Sequence, residues 1–166
     1  MNQHVVYLSL GSNLGDRKYC LKQSILLLNS NVGRVSAVSN FYENEAWGYV
    51  SSNKFINICA ELHTKYKPKK LLRKLKKIEK ILGRSKTTKV GYTDRPIDID
   101  IIFYDNLILN TKKITIPHLK MHERRFVLKP LSELCGDFIH PVLKKSVNEL
   151  LAECADNSKL ELSLNA

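Results

Sequence analysis

The segment Arg-Pro-Ile-Asp-Ile-Asp-Ile at residues 95–101 places two carboxylates one residue apart inside an apolar run. In an extended strand, side chains two positions apart point to the same face, so Asp98 and Asp100 project together while the isoleucines face the other way. Adjacent carboxylates repel each other and are costly on a half-buried strand unless a cation neutralises them. Mg²⁺ suits such a pair, because it usually takes one or two protein carboxylates and fills its shell with water and phosphate oxygens. The segment therefore predicts a magnesium site for a phosphate-rich substrate, rather than a solvated strand edge with two surface acids.

The net charge of the chain also favours an anionic partner. It is +11, from 27 basic and 16 acidic residues, and such a balance attracts nucleotides, nucleic acids or membrane surfaces. Residues 65–89 are rich in lysine and arginine, with Glu79 as their only acid. The first part of this stretch is typical of a helix with a solvated cationic face. The loop that follows carries Arg84, Lys86, Lys89 and Arg95. Arginines on a loop beside the aspartates are suited to neutralising a transferring phosphoryl group.

Length and composition limit the class of protein. The 166 residues, 43% of them hydrophobic, predict one domain over residues 1–166 with an ordinary core. The four cysteines are widely scattered with no Cys-x-x-Cys pair, which is typical of reduced thiols in a cytoplasmic protein. The first apolar run is only as long as a strand, so we expect neither a signal peptide nor a membrane span. Nothing in the sequence demands more than a monomer.

The pattern of apolar residues predicts an α+β fold. Strands are expected at Val5–Leu10, Val32–Asn44, Phe55–Thr64 and Ile97–Tyr104, and helices from Asp16, from Pro68 to Gly83, at Arg124–Leu134 and at Val147–Cys154. A small hairpin is expected between residues 107–109 and 114–116, and loops at Glu45–Lys54 and Arg84–Arg95. This is the β-α-β-β-α-β order of a ferredoxin-like antiparallel sheet with helices on one face, followed by a C-terminal hairpin and helices.

Two further groups of residues could contact a ligand. His118 and His122 are four apart and could bind zinc from one helix face, but Pro117 argues against a helix at that point and no third ligand is evident. Hydrogen bonding from His118 and Arg124 to phosphate is the better functional interpretation. Trp47 lies in a predicted loop, where it is hard to bury and could stack on a planar ligand.

Taken together, six segments resemble the 6-hydroxymethyl-7,8-dihydropterin pyrophosphokinase family over roughly Val5 to Leu134. They are YLSLGSNLGDR, FYENEAWG, FINICAEL, IEKILGR, DRPIDIDIIFYD and IPHLKMHERRFVLKPL. The last two, in this order and spacing, are highly specific to the family. The resemblance implies a ferredoxin-like enzyme of folate biosynthesis. Such an enzyme uses two Mg²⁺ ions to transfer the terminal diphosphate of ATP to the hydroxymethyl oxygen of the pterin, and it releases AMP.

The resemblance also assigns roles to individual positions. Asp98 and Asp100 would hold both magnesium ions and would be catalytic together with Arg84 and Arg95. The expected ATP contacts are Arg84, Lys86, Arg95, Ile101, Thr115, His118 and Arg124. The resemblance places Asn57 against the pterin ring, with Phe55 and Phe126 on either side of it. Asn44 and the loop residue Trp47 are the other expected pterin contacts. The chain departs from the family pattern at Lys86, where an arginine is common, and at Val90-Gly91-Tyr92, which replaces a frequent Trp-Gly.

A basic ferredoxin-like module that binds RNA on its sheet is the alternative from another functional class. Such a module would need aromatic residues alternating on its central strands and would have no pair of acids facing the phosphates. The sequence instead predicts Asp98 and Asp100 on a central strand, which counts against RNA. We therefore expect small-molecule substrates, ATP and a hydroxymethyl-dihydropterin, and neither a nucleic acid nor a membrane partner.

Overall fold

The fold is organised around one antiparallel sheet, seen in a computed structural model that describes residues 2–86 and 91–164. Its strands are β1 (His4–Ser12), β2 (Arg34–Val38), β3 (Tyr42–Asn44), β4 (Phe55–Thr64), β5 (Asp98–Tyr104) and β8 (Leu160–Leu162). A separate hairpin contains β6 (Leu109–Asn110) and β7 (Thr115–Ile116). The helices are α1 (Arg17–Asn31), α2 (Pro68–Ile81), α3 (Arg125–Cys135) and α4 (Val147–Glu153), with a short 3₁₀ helix at Met121–Glu123. The order in the sheet is β5-β1-β4-β3-β8, and β2 also pairs with β4. The predicted α+β, ferredoxin-like arrangement is confirmed.

Local sequence explains where the first two helices begin. The side chain of Asp16 accepts a hydrogen bond from the backbone N–H of Tyr19 at 3.0 Å, which caps α1 as predicted. Pro68 occupies the first turn of α2, where its missing N–H costs nothing. Leu71 and Leu75 then lie one turn apart on the buried face of α2. Both helices are thereby fixed against the sheet.

The sheet separates two cores. One core lies between the sheet and the pair α1 and α2, and the other between the sheet and the pair α3 and α4. Ile97, Ile99 and Ile101 are 0–5% exposed and belong to the first core. Since side chains alternate along β5, Asp98 and Asp100 lie on the opposite face, as the sequence predicted.

The predicted second strand, Val32–Asn44, is wrong as one element, because it is interrupted between β2 and β3. At the interruption, the backbone N–H of Asn40 donates to Glu133 of α3 at 2.8 Å instead of to β4. The side chain of Ser39 accepts from the backbone N–H of Cys59 at 2.9 Å. These contacts satisfy the backbone where the ladder is broken, and β4 is long enough to pair with both pieces.

The strand that carries the aspartates is at the edge of the sheet and not in its centre, which corrects the sequence prediction. Within the described residues β5 pairs only with β1. On its outer edge, the backbone N–H of Ile99 donates to Glu79 of α2 at 2.8 Å. The backbone N–H of His118 donates to the carbonyl oxygen of Ile102 at 3.0 Å. A helix side chain and a loop thus cover the edge in place of another strand.

Most other predicted elements are found. The hairpin forms at β6 and β7, and α3 and α4 begin within one residue of their predicted starts. Strand β8 was not predicted from the sequence. Lys89 and Val90, named above for the basic loop, lie outside the described residues. In the part of the chain that is described, no helix is both long and apolar enough to cross a membrane.

Candidate active site

Three neighbouring strands bring the predicted pterin and metal residues into one row. Gly11 of β1 pairs with Asn57 of β4 on one side and with Asp98 of β5 on the other. Two positions earlier, Ser9 pairs with Asp100 in the same way. Directly paired residues on neighbouring strands share a face of the sheet, so these side chains all face α3. A β-carbon on Gly11 would lie 2.5 Å from Oδ1 of Asn57, so only glycine leaves room for that side chain.

A pocket with about 590 Å³ of empty space opens above this row. Ten of the predicted site residues line it: Asn44, Trp47, Phe55, Asn57, Arg95, Asp98, Asp100, His118, Arg124 and Phe126. They come from β3, β4, β5, α3 and the connecting loops. The structure therefore gathers all five proposed pterin contacts, both aspartates and three of the seven proposed ATP contacts into one cavity.

Asp98 is held by the arginines that were predicted to contact phosphate. Its two carboxylate oxygens lie 2.6 Å from Nη1 of Arg84 and 3.4 Å from Nη1 of Arg95. Burial disfavours the charged form of Asp98, but the charges of Arg95 and Arg84 outweigh it and hold its pKa below the usual range. Burial and the nearby charge of Asp98 raise the pKa of Asp100 to about 7.

The carboxylate pair fits Mg²⁺ better than a metal that needs a full protein cage. Among residues 2–86 and 91–164, no group of three or more His, Cys, Asp or Glu side chains could hold a metal together. Mg²⁺ needs only one or two carboxylates when water and phosphate oxygens complete its shell.

Glu79 is a site component that the sequence interpretation missed. It is 3% exposed, and its Oε2 lies 3.0 Å from Nη1 of Arg84. Its other oxygen accepts from the backbone N–H of Ile99 and lies 3.1 Å from Nζ of Lys76. One helix acid therefore fixes both the strand that carries the aspartates and an arginine that faces them. The sequence does distinguish Glu79, because it is the only acid in the basic stretch of residues 65–89.

His118 is arranged as a neutral hydrogen-bond donor. Burial and the neighbouring charge of Arg124 lower its pKa to about 4. Nδ1 accepts from the backbone N–H of Lys120 at 3.2 Å, so the proton of the neutral ring lies on Nε2. His118 lines the pocket, and Nε2–H is then available to an oxygen acceptor.

Arg124 is nearly buried beside aromatic rings. It is 9% exposed, and Nη2 donates to the hydroxyl of Tyr92 at 3.0 Å. Its Cζ lies 4.7 Å from the ring centroid of Trp47. Within the described part of the chain, its buried Nε has no hydrogen-bond partner and no carboxylate forms an ion pair with it. A buried guanidinium without an anion suits a site that receives a phosphate.

The opposite end of the pocket is more apolar and holds an amide pair. Asn57 donates from Nδ2 to Oδ1 of Asn44 at 2.6 Å, and both side chains are buried. Asn44 in turn donates to the carbonyl oxygen of Glu45 at 2.8 Å. Phe55 and Phe126 line the same cavity. This end offers ring surfaces and an oriented amide, which suits a flat heterocycle.

Four predicted ATP contacts do not line the pocket itself. Arg84 reaches it through its pair with Asp98, whereas Lys86 is exposed near the end of the described segment. Ile101 has its side chain in the core, so only its backbone could meet a ligand. Thr115 lies in β7, where its hydroxyl donates to Asn110 at 3.3 Å. The roles of these residues stay predictions.

Aromatic residues from two loops form a roof over the pocket. The ring centroids of Tyr49 and Tyr92 are 6.3 Å apart and nearly parallel, and Trp47 meets Tyr92 edge-on at 6.3 Å. All three rings line the cavity. Tyr92 had no predicted role, since only the folded loops show that it lies beside Trp47.

Comparison with known proteins agrees with this geometry. The family model described as 7,8-dihydro-6-hydroxymethylpterin-pyrophosphokinase (HPPK) matches residues 7–136. The chain belongs to this family. The 2-amino-4-hydroxy-6-hydroxymethyldihydropteridine pyrophosphokinase of Porphyromonas gingivalis is 41% identical over 139 residues, which cover 82% of this chain and 94% of that one. The protein of the same name from Aquifex aeolicus is 37% identical over 148 residues, covering 89% and 91%. Membership makes the chain an ATP-dependent diphosphotransferase of folate biosynthesis.

Solved structures show the same fold in a larger protein. Wild-type HPPK-DHPS of Plasmodium falciparum, solved with SDX-DHP, matches with a TM-score of 0.74 and 15% identity. The match covers 92% of this chain and 44% of that one, so this chain spans less than half the length of the structural relative. At this identity, the likeness concerns the fold alone.

Proposed function

We propose that the pterin and the diphosphate of ATP occupy opposite ends of the row Asn57–Gly11–Asp98. The row carries the proposal, because two strand spacings separate Asn57 from Asp98, or about 10 Å between their Cα atoms. The amide of Asn57, oriented by Asn44, would recognise the edge of the pterin ring. Its hydroxymethyl group would then point towards the aspartates.

In this proposal Phe55 and Phe126 flank the pterin ring, and Trp47 of the roof stacks near it. The distinction between the two ends supports this orientation. The amide pair lies on β3 and β4 and the two aspartates lie on β5. The guanidinium groups of Arg95 and Arg124 lie about 6 Å from the ring centroids of Phe55 and Phe126. A flat, neutral heterocycle would gain stacking and hydrogen bonds at the first end, and polyphosphate would gain charge neutralisation at the second.

Asp98 and Asp100 would hold the magnesium, with two ions expected. Bound Mg²⁺ would neutralise phosphate oxygens and orient the attacking hydroxyl. Arg84 and Arg95, which pair with Asp98, would turn their donors to the phosphates. Glu79 would keep Arg84 near the site during that exchange.

The transfer itself would be an in-line displacement at the β-phosphorus of ATP. The hydroxymethyl oxygen would form the new bond to the β-phosphorus and pass its proton to water or to one of the two aspartates. The bond from the β-phosphorus to the α-phosphate oxygen would break, and AMP would leave with the electron pair. Nε2–H of His118 and the guanidinium of Arg124 would donate to phosphate oxygens. Lys86, Thr115 and the backbone of Ile101 would hold the rest of the nucleotide.

The nucleotide product tests this function. The protein is mixed with Mg²⁺ and ATP, with and without 6-hydroxymethyl-7,8-dihydropterin, and the nucleotides are separated. We expect AMP to form only when the pterin is present, with no ADP, and Asp98→Asn to abolish the reaction. ADP as the product, or wild-type turnover by Asp98→Asn, would contradict the proposal.

We further propose that the chain acts as a monomer in the cytoplasm and has no nucleic-acid partner. The four cysteines are free thiols, as is usual for cytoplasmic proteins. Helices α3 and α4 pack on the sheet face that an RNA-binding module would present. Light scattering after gel filtration tests the monomer, and a salt-dependent gel shift with RNA tests the absence of nucleic-acid binding.

A further inference from the structure

Asp94 is the centre of a hydrogen-bond cluster beside the pocket. Its Oδ1 accepts from Nδ2 of Asn13 at 2.8 Å and from the hydroxyl of Tyr49 at 2.9 Å. Its Oδ2 accepts from the hydroxyl of Ser51 at 2.9 Å and from Nδ2 of Asn53 at 2.7 Å. Four donors fill the acceptor capacity of the two carboxylate oxygens.

The donors come from two separate parts of the chain. Tyr49, Ser51 and Asn53 belong to the loop of residues 45–54, and Asn13 directly follows β1. Asn13 also binds the neighbour of Asp94, because its Oδ1 accepts from the backbone N–H of Arg95 at 2.8 Å. Its backbone N–H donates to the carbonyl oxygen of Arg95 at 3.1 Å. The position of the loop 45–54 is therefore linked through Asp94 to the backbone of Arg95.

The same loop positions the roof of the pocket. Trp47 and Tyr49 lie on the loop 45–54, and Tyr92 lies two residues before Asp94. The rings of Tyr49 and Tyr92 stack, and Tyr92 accepts from Arg124. The carboxylate of Asp94 thus binds one ring of the roof, Tyr49, which stacks on a second, Tyr92.

We propose that Asp94 is a positioning residue for diphosphate transfer, whose carboxylate holds the loop 45–54 against residues 92–95 and so sets the aromatic roof and Arg95 together. The catalytic part of this inference rests on the proposed function, whereas the contact between the loops does not. Asp94 does not line the pocket and would act through Tyr49, Ser51 and Arg95.

The charge of Asp94 makes the contact stronger than a neutral amide would. Burial opposes its ionisation, but the hydrogen bonds from Asn53, Ser51, Tyr49 and Asn13 outweigh it and lower its pKa to about 2. Asp94→Asn keeps the shape of the side chain but replaces one acceptor oxygen with an NH₂ group. Two of the four donors would then face another donor, and the remaining bonds would lose their charge assistance.

The fluorescence of Trp47 tests the contact without any substrate, because Trp47 is the only tryptophan of the chain. Acrylamide quenching is compared for the wild type, Asp94→Asn and the matched control Asp137→Asn, which changes an exposed aspartate elsewhere. We expect the quenching constant to rise about twofold in Asp94→Asn as the roof loosens, and not in the control. Ser51→Ala removes a single donor, so it should raise the quenching constant by less than Asp94→Asn does.

Steady-state kinetics test the positioning role. We expect Asp94→Asn to raise KM for the pterin and to lower kcat, with kcat/KM reduced about tenfold, as the loss of about 1.4 kcal/mol of charge-assisted hydrogen bonding predicts. Far-ultraviolet circular dichroism should match the wild type.

Each outcome decides one part of the inference. Unchanged quenching in both Asp94→Asn and Ser51→Ala would overturn the contact between the loops. A more accessible Trp47 with wild-type kinetics would overturn the positioning role. Failure of the wild type to form AMP would instead refute the proposed function, and the quenching result would still stand. If Asp94→Asn does not fold, Ser51→Ala carries both measurements alone.

Discussion

Glu79 should contribute more to the stability of this enzyme than any exposed charge of α2. Its side chain is 3% exposed, although 12 of the 25 positions in residues 65–89 are basic. It accepts from the backbone N–H of Ile99 and pairs with Arg84 and Lys76. Glu79→Ala would remove all these contacts at once and leave the outer edge of β5 without its acceptor.

The contacts set the expected magnitude. A buried backbone donor left without an acceptor costs about 1–3 kcal/mol. Removing one partner of a buried ion pair costs about 3–5 kcal/mol. The cost of losing the Glu79–Arg84 pair is much smaller, because Arg84 is 28% exposed and keeps its pair with Asp98 at 2.6 Å. We therefore expect Glu79→Ala to lower the free energy of unfolding by about 3 kcal/mol. Glu79→Gln keeps an acceptor for Ile99 and should cost about half as much.

Urea unfolding in EDTA, near neutral pH, measures these differences without interference from metal binding. Lys76→Met is the control, because this partner is 50% exposed and its loss should cost less than about 1 kcal/mol. The reasoning would be refuted if Glu79→Ala were as stable as Lys76→Met. It would also be refuted if Glu79→Gln were as unstable as Glu79→Ala, since the acceptor for Ile99 would then not matter.

Three further predictions concern the pocket. Gly11→Ala would place a β-carbon 2.5 Å from Oδ1 of Asn57, so the Kd for the pterin by calorimetry should rise about tenfold or more while that for ATP stays similar. Asp100→Asn removes a like charge beside Asp98 and should stabilise the metal-free protein to urea by about 1–2 kcal/mol while abolishing turnover. The depressed pKa of Asp94 means that its hydrogen bonds stabilise the fold above the unfolded pKa of 3.8. The stability difference between the wild type and Asp94→Asn should therefore be constant at neutral pH and shrink as the pH falls from about 4 towards about 2.

The elements that were predicted correctly are those whose signal lies within their own residues. Alternation in residues 97–104 was enough to place the isoleucines in the core and both aspartates on the other face. The apolar stripe of α2, with Pro68 at its start, was enough to predict where that helix lies and which face is buried. For the same reason the FINICAELHT segment was predicted as the strand Phe55–Thr64, which is β4.

The features that were missed depend on partners far away in the chain. The break between β2 and β3 depends on Glu133, which binds the backbone of Asn40 from α3. Whether β5 is central or at the edge depends on which strands pair, and that is a property of the whole sheet. The hydrogen bonds that Asp94 accepts come from donors 41 to 81 positions away. Periodicity within a window contains none of this information.

The two arginines on Asp98 have a consequence for ligand binding. Mg²⁺ alone would have to displace Arg84 and Arg95 from the carboxylate and would leave both guanidinium groups without an anion. ATP brings the oxygen atoms that the displaced arginines need, so each ligand should increase the affinity for the other. Such coupling is reciprocal by thermodynamic necessity, and the factor by which ATP tightens Mg²⁺ binding must equal the factor by which Mg²⁺ tightens ATP binding. If Asp98 holds Mg²⁺ as proposed, these ion pairs would make the site respond to the metal–nucleotide complex and resist either component alone.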